Sequence, residues 1–193
     1  VYVAEAVFDD FVQMAAEEAS RYVLGDPRDP STTLGPVVRQ RNADSIRSII
    51  TDALEAGALP HVDAASFQSD RADTPYMAPQ ILTHVDHKMA FVHEETFGPC
   101  VGVMPVRDDD EAVRLMNDSW YGLTASLWTQ DVQAARRLGE HLETGTVFMN
   151  RCDFLDPHLA WTGIKNSGRG ATLSNIGFEQ MTRPKSFHFR TEI

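Results

Sequence analysis

Between Val101 and Asn150 the chain alternates short apolar runs with acid-led amphipathic stretches, an order that leaves few folds open. Val101 to Val106 has the β-branched content of a strand. It runs into Asp108-Asp109-Asp110-Glu111, whose carboxylates suit the positive end of a helix turning Ala112, Leu115 and Met116 inward. Gly122 to Trp128 then predicts a strand, Asp131 to Leu142 a helix, and Gly145 to Asn150 a further strand. Helical crossovers between strands favour parallel pairing. The segment therefore predicts βαβ units and an α/β fold, a mostly parallel sheet flanked by helices.

The flanks extend this pattern. Val1-Tyr2-Val3 predicts a strand leading into a helix with Phe8, Phe11, Val12, Ala15, Ala19, Tyr22 and Val23 on its apolar stripe, stopped by Gly25-Asp26-Pro27. An exposed loop follows as far as Gly35-Pro36. Ile46, Ile49, Ile50, Ala53 and Leu54 make a second helical stripe, ended by Gly57 and expected to pack on the sheet. From Tyr76 to Val92 the apolar runs are short and broken by Pro79 and by His84 to Lys88, which suits strands or extended chain. After Asn150 a long stretch rich in Gly, Asp and Asn reaches Arg169-Gly170, and loops of such length are usually functional. Pro184 to Arg190 alternates apolar and polar side chains and predicts a terminal strand.

Composition narrows the function classes. At 193 residues and 42% apolar content, the expectation is one domain spanning 1–193. A formal charge of -11 gives no electrostatic footprint for nucleic acid or an anionic membrane. No apolar run approaches the roughly 20 residues of a membrane span, and the first residues lack a basic-then-apolar leader, so a soluble, cytoplasmic protein is expected. Cys100 and Cys152 show no CxxC or Cys/His spacing, and His84, His87 and His93 have no completing ligand pattern; neither a disulfide framework nor a metal site is indicated.

The most informative segment for function is Glu94-Glu95-Thr96-Phe97-Gly98-Pro99, which sets carboxylates, a ring and a tight turn before the Val101 strand. Further landmarks run in order along the chain: Val1-Tyr2-Val3, Gly25-Asp26-Pro27, Gly35-Pro36, Tyr76-Met77-Ala78-Pro79, Tyr121 to Ala125, Gly145 to Asn150, and Gly163 to Gly170. Together they resemble the C-terminal, catalytic-domain part of the aldehyde dehydrogenases over nearly the whole chain. That resemblance implies a nicotinamide cofactor, NAD or NADP, a small-molecule aldehyde as substrate, and oxidation to the acid through a cysteine thiohemiacetal and thioester. It also implies that the nucleophilic cysteine, the general-base glutamate and the oxyanion-binding asparagine precede Val1, together with a Rossmann-like cofactor-binding domain. The chain alone is then expected to be inactive. Two alternatives remain open: a non-catalytic binding or assembly module that keeps the fold, and an acylating relative that uses coenzyme A in place of water.

By the same resemblance Glu95 matches the glutamate whose carboxylate accepts hydrogen bonds from the nicotinamide-ribose hydroxyls, and Phe97 packs beside the nicotinamide. Glu94 receives no role. Asp153, Leu155 and Trp161 fall at positions lining the aldehyde entrance; Ala160-Trp161-Thr162-Gly163 stands where the family usually has Pro-Phe-Gly-Gly, which leaves the size of the pocket open. Residues 183–193 match strands that cross between subunits in dimers or tetramers, so a homo-oligomer is expected. Cys100 is set aside as nucleophile because it begins an apolar strand with no base nearby in sequence. Cys152, in the substrate-side loop, is the better candidate for a modifiable thiol. Gly163 to Gly170 has its glycines in the wrong order for a phosphate-binding loop, and Lys165 is expected to tie the loop to a neighbouring carbonyl or carboxylate.

Overall fold

Tyr2-Val3-Ala4 forms the first strand, β1 (Tyr2–Ala4), and a single 3-10 turn leads into α1 (Phe8–Ser20), which buries Val12 and Ala19. The next helix, α2 (Gln40–Glu55), buries Ala43, Ile46, Ile50 and Ala53, a three-and-four spacing that makes one continuous stripe. There follow β2 (Leu59–Pro60), β3 (Gln80–Thr83), the helical turn α3 (Ala90–His93), β4 (Cys100–Gly102) and β5 (Met104–Val106). β2 runs antiparallel to β3, β3 parallel to β4, and β5 parallel to β1.

The computed structural model describes residues 1–152 and 154–192 and divides into two compact units, Val1–Ala112 and Val113–Ile193. In the first unit, successive residues of β3 serve opposite faces of the sheet. Leu82 joins Ile46, Ile50, Phe91 and Met104 on the α2 side, while Ile81 joins Val3, Val12, Phe67 and Val103 on the α1 side. A strand buried on both faces has to be apolar throughout its middle, which is the reading of Ile81-Leu82.

The run expected as one strand from Val101 to Val106 is two. Its first half lies along β3 and its second along β1, and the exchange happens at Val103, whose amide donates to Leu82 O at 2.8 Å before Met104 N donates to Val1 O at 2.9 Å. Ala90–His93 is likewise helical rather than extended. Asp86 starts that turn, its Oδ1 accepting from Lys88 N at 2.8 Å and its carbonyl from Met89 N at 3.1 Å, and Phe91 is thereby turned into the core.

The unit boundary falls inside α4 (Asp109–Asn117), which Asp108 opens by accepting from Glu111 N at 2.8 Å. The second unit contains β6 (Tyr121–Gly122), β7 (Thr124–Leu127), α5 (Val132–Gly139), β8 (Thr146–Met149), β9 (Trp161–Thr162), β10 (Ile164–Lys165), β11 (Ala171–Thr172) and α6 (Ser174–Met181). The βαβ unit read from the sequence is β7-α5-β8, with β7 and β8 parallel and in register from Thr124↔Thr146 to Leu127↔Met149. Asp131 caps α5 by accepting from Gln133 N and Ala134 N. The expected strand Gly122 to Trp128 is broken at Leu123, because β6 pairs antiparallel with β10 whereas β7 pairs with β8.

The stretch after Asn150 is less irregular than its composition suggested, since β9 pairs antiparallel with β11 and α6 follows. The α/β architecture with parallel strands flanked by helices is as expected. Among the described residues the expected terminal strand does not form: the tail from 183 to 192 belongs to no strand or helix, and an alternating segment becomes a strand only where it pairs with another, which it does not do here. Among the described residues no helix is long and apolar enough to cross a membrane.

Candidate cofactor loop and pocket wall

In the first unit the segment from Glu94 to Pro99 is the entrance to β4. α3 closes with Glu94 N donating to Ala90 O at 2.8 Å, after which the backbone becomes extended. The turn is fixed from behind. Pro99 O accepts from Gln80 N at 2.8 Å, Cys100 N donates to Gly98 O at 2.8 Å, and Thr96 Oγ1 lies 3.4 Å from Cys100 Sγ. Gly98 lies close against α2, where a Cβ would stand 2.6 Å from Ile46 Cδ1 and would force that side chain to shift.

What this backing presents is Glu95, exposed, and Phe97, 82% exposed with φ of 51°. A left-handed aromatic residue costs about 1–2 kcal/mol. Holding an apolar ring in such a conformation and out in water is unfavourable twice over, and such arrangements cluster where a ligand is met. Cys100 is half-buried, and burial pushes its thiol up, with the Thr96 contact opposing more weakly. A raised thiol is a poor nucleophile near neutral pH, which agrees with setting it aside.

A second support was not read from the sequence. Arg47, one residue along α2 from Ile46, donates through Nη2 to Tyr76 O (2.7 Å), Arg71 O (3.0 Å) and Asp70 Oδ1 (3.1 Å), and through Nη1 to Thr74 O (3.2 Å). Asp70 Oδ2 in turn accepts from Ala78 N at 2.9 Å. The guanidinium thus gathers the loop that delivers β3, and the sequence signal was an arginine set between Ile46 and Ile50 on a buried stripe. The histidines are engaged locally. His87 Nε2 lies 3.0 Å from Tyr2 OH, the His87 and His93 rings meet edge to face, and Thr83 Oγ1 stands between His61 and His84. Among the described residues no group of three or more His, Cys, Asp or Glu is arranged to hold a metal ion.

In the second unit Trp161 opens β9 opposite Thr172 and is half-buried, Leu155 is exposed, and Asp153 lies outside the described residues. A cavity of about 200 Å³ lies beside β8, walled by Met149, Arg151, Phe154, Leu159 and Trp161; Leu155 does not line it. The Arg151 guanidinium stacks on the Phe154 ring with Cζ 4.0 Å from its centroid. Gly145 admits β9, because a Cβ there would fall 1.7 Å from Thr162 O. Lys165 behaves as expected, donating to Asn117 O at 2.7 Å and pairing with Glu143 Oε2 at 2.7 Å. Cys152 is exposed, and neither cysteine is in a disulfide. A second, larger cavity of about 770 Å³ lies against α6, lined by Leu159, Leu173, Ile176, Phe178 and Met181. It was not anticipated, because α6 itself was not.

The model of the aldehyde dehydrogenase family matches residues 1–187. The chain is 37% identical over 183 residues to a succinate-semialdehyde dehydrogenase [NADP(+)] of Deinococcus radiodurans, which covers 95% of this chain and 38% of that protein. It is 28% identical over 186 residues to human aldehyde dehydrogenase 1A1, covering 96% of this chain and 36% of the relative. Among solved structures it superposes on Gox0499 with a TM-score of 0.88 at 33% identity, over 98% of this chain and 41% of that one. On betaine aldehyde dehydrogenase from Staphylococcus aureus in complex with NAD+, the TM-score is 0.84 at 32% identity, over 92% of this chain and 36% of that one. The chain therefore spans well under half the length of these relatives.

Proposed function

Because this chain belongs to the aldehyde dehydrogenase family, we propose that it serves as the C-terminal catalytic-domain part of a longer enzyme that oxidises an aldehyde to a carboxylic acid with NAD or NADP. The observation that carries the reading is the exposed, left-handed Phe97 beside exposed Glu95 on a turn braced by Ile46 and Gln80. A carboxylate with two acceptor oxygens suits a pair of vicinal ribose hydroxyls, and an aromatic face suits the flat ring attached to that ribose. The residues fit a nicotinamide nucleotide. When bound, the nicotinamide supplies the hydride acceptor; Glu95 and Phe97 supply its position.

On this reading Trp161, Leu155 and Asp153 form the aldehyde side of the site, with Trp161 giving a flat apolar wall. The nucleophilic cysteine and the general base come from polypeptide preceding Val1, together with the cofactor-binding domain, and residues 1–193 alone turn over no aldehyde. The terminal segment 183–193 acts as an oligomerisation strand in a dimer or tetramer. Phe187 and Phe189, stacked at 5.8 Å and exposed, are the side chains a neighbouring subunit would cover.

The test is Glu95→Gln in the full-length protein. One of two acceptor oxygens becomes a donor, so cofactor affinity should weaken about tenfold, with aldehyde KM little altered. Unchanged cofactor affinity and turnover would sink the role of Glu95.

A further inference from the structure

The carboxyl ends of parallel strands are where open α/β sheets receive their ligands, and in the second unit two side chains, those of Asn150 and Ser126, tie that end. Asn150 is the first residue past β8 and holds the left-handed backbone at φ of 55°. Its backbone N donates to Leu127 O at 2.9 Å. Its amide closes on one residue of the neighbouring loop: Oδ1 accepts from Thr129 N at 3.0 Å and Nδ2 donates to Thr129 O at 2.8 Å. One residue on, Arg151 O accepts from Ser126 Oγ. Thr129 is fixed in turn, its Oγ1 accepting from Asp131 N at 3.1 Å, and Asp131 is the cap of α5. An unbroken run of hydrogen bonds thus connects the start of α5, the exit of β7 and the exit of β8.

Beyond this point the chain becomes the wall of the 200 Å³ cavity, with Arg151 stacked on Phe154 and Trp161 closing it. The direction in which the chain leaves β8 decides where those side chains lie. Asparagine meets the requirement for chemical reasons. It tolerates the left-handed conformation better than other side-chain-bearing residues. Its short amide offers one donor and one acceptor, matching the carbonyl and N–H of one residue. Aspartate lacks the donor, and glycine keeps the conformation but loses both bonds.

We propose that Asn150 is a positioning residue for the aldehyde pocket, fixing the path of the chain that carries the wall residues Arg151, Phe154, Leu159 and Trp161; this rests on the assignment of that wall under the proposed function. Asn150→Gly is the informative variant because it leaves the left-handed backbone unstrained. In the full-length protein it should speed amide hydrogen exchange across residues 151–161 about tenfold while leaving the amides of α5 unchanged. With succinic semialdehyde and NADP+ as the probe pair, the aldehyde KM should rise about tenfold with the cofactor KM unaltered, as two hydrogen bonds are lost. Asn150→Asp, which keeps the acceptor but sets a carboxylate oxygen against Thr129 O, should raise exchange and the aldehyde KM at least as far as Asn150→Gly. Unchanged exchange in 151–161 overturns the proposal, and so does a fall in kcat with the aldehyde KM unmoved. Trp161→Ala separates the two readings. If it leaves the aldehyde KM unaltered, the wall assignment fails, and the exchange result alone upholds or overturns the hold of Asn150 on the segment.

Discussion

Ile46, Leu82 and Val103 of the first unit are at most 2% exposed, whereas the apolar side chains buried in the second unit, among the described residues, are Ala125, Ala135 and Leu142. Burying a leucine or isoleucine contributes about 1.5–3 kcal/mol, and an alanine far less. The second unit therefore relies more on other contacts: the Asn150 amide on Thr129, Lys165 on Asn117 and Glu143, and a glycine backbone pressed against Thr162. The contrast matches the work assigned to each unit. On the proposed function, a loop that offers a carboxylate and a ring to a nicotinamide cofactor gains from a rigid apolar base. A wall shaped by short polar ties can be re-aimed by one substitution without emptying a core, which would suit the aldehyde-side role proposed for it.

Leu82→Ala is the largest lever on this contrast. Leu82 is fully buried in β3 between α2 and the sheet, so its truncation should cost about 3 kcal/mol or more in the protection of β3 and β4 amides in the full-length protein. Amides of β7 and β8 should keep theirs. An equal loss in both units, read by hydrogen exchange, would mean that one core serves the whole chain and that the contrast is false.

Gly145→Ala probes the other side. The added Cβ meets Thr162 O at 1.7 Å and its carbonyl carbon at 2.5 Å, both backbone atoms that cannot rotate away. Relieving that overlap should cost about 2–3 kcal/mol, felt in β8 and β9 and not in β3. A variant with unaltered exchange in Trp161 to Lys165 would remove backbone contact from the account of how the wall is shaped.

How far each unit could be read from sequence follows the same division. Ile46, Ile50 and Ala53 of the α2 stripe and the β7-α5-β8 alternation were legible because burial on one face imposes a period on the residues themselves, although Leu54, read into the same stripe, is exposed. Glu95 and Phe97 were legible as a motif, but the left-handed backbone of Phe97 was not, nor was the approach of Ile46 to Gly98, residues 52 positions apart in the chain. The exchange of partners at Val103 and Leu123 was not legible, since a β-branched run looks the same whether it pairs with one strand or two in turn. α6 was missed because Ser174, Asn175 and Gly177 are weak helix formers, and its helix starts from left-handed Leu173 and Ser174. Apart from the Asp70 carboxylate, the groups that Arg47 and Asn150 hold are backbone carbonyls and an amide, which every residue carries, so little in the partner sequence marks them out.

The smallest effect sets the two cysteines against each other. Cys100 sits in the first unit under the Thr96 turn, where burial raises its pKa above the ordinary thiol value and the Thr96 contact opposes this more weakly; Cys152 is exposed in the second unit. Thiolate is the reacting species, and below the pKa each unit of upward shift lowers its fraction about tenfold. A raised pKa therefore moves the onset of Cys100 alkylation to higher pH than that of an ordinary thiol. With iodoacetamide near neutral pH, peptide mass spectrometry of the full-length protein should find Cys152 modified first and Cys100 only as the pH is raised. Cys100 labelled as readily as Cys152 at neutral pH would mean that the turn from Thr96 to Pro99 opens freely. Glu95 and Phe97 would then stand on a base no firmer than the wall around Trp161, and the difference between the two units would not extend to the residues proposed to meet the cofactor.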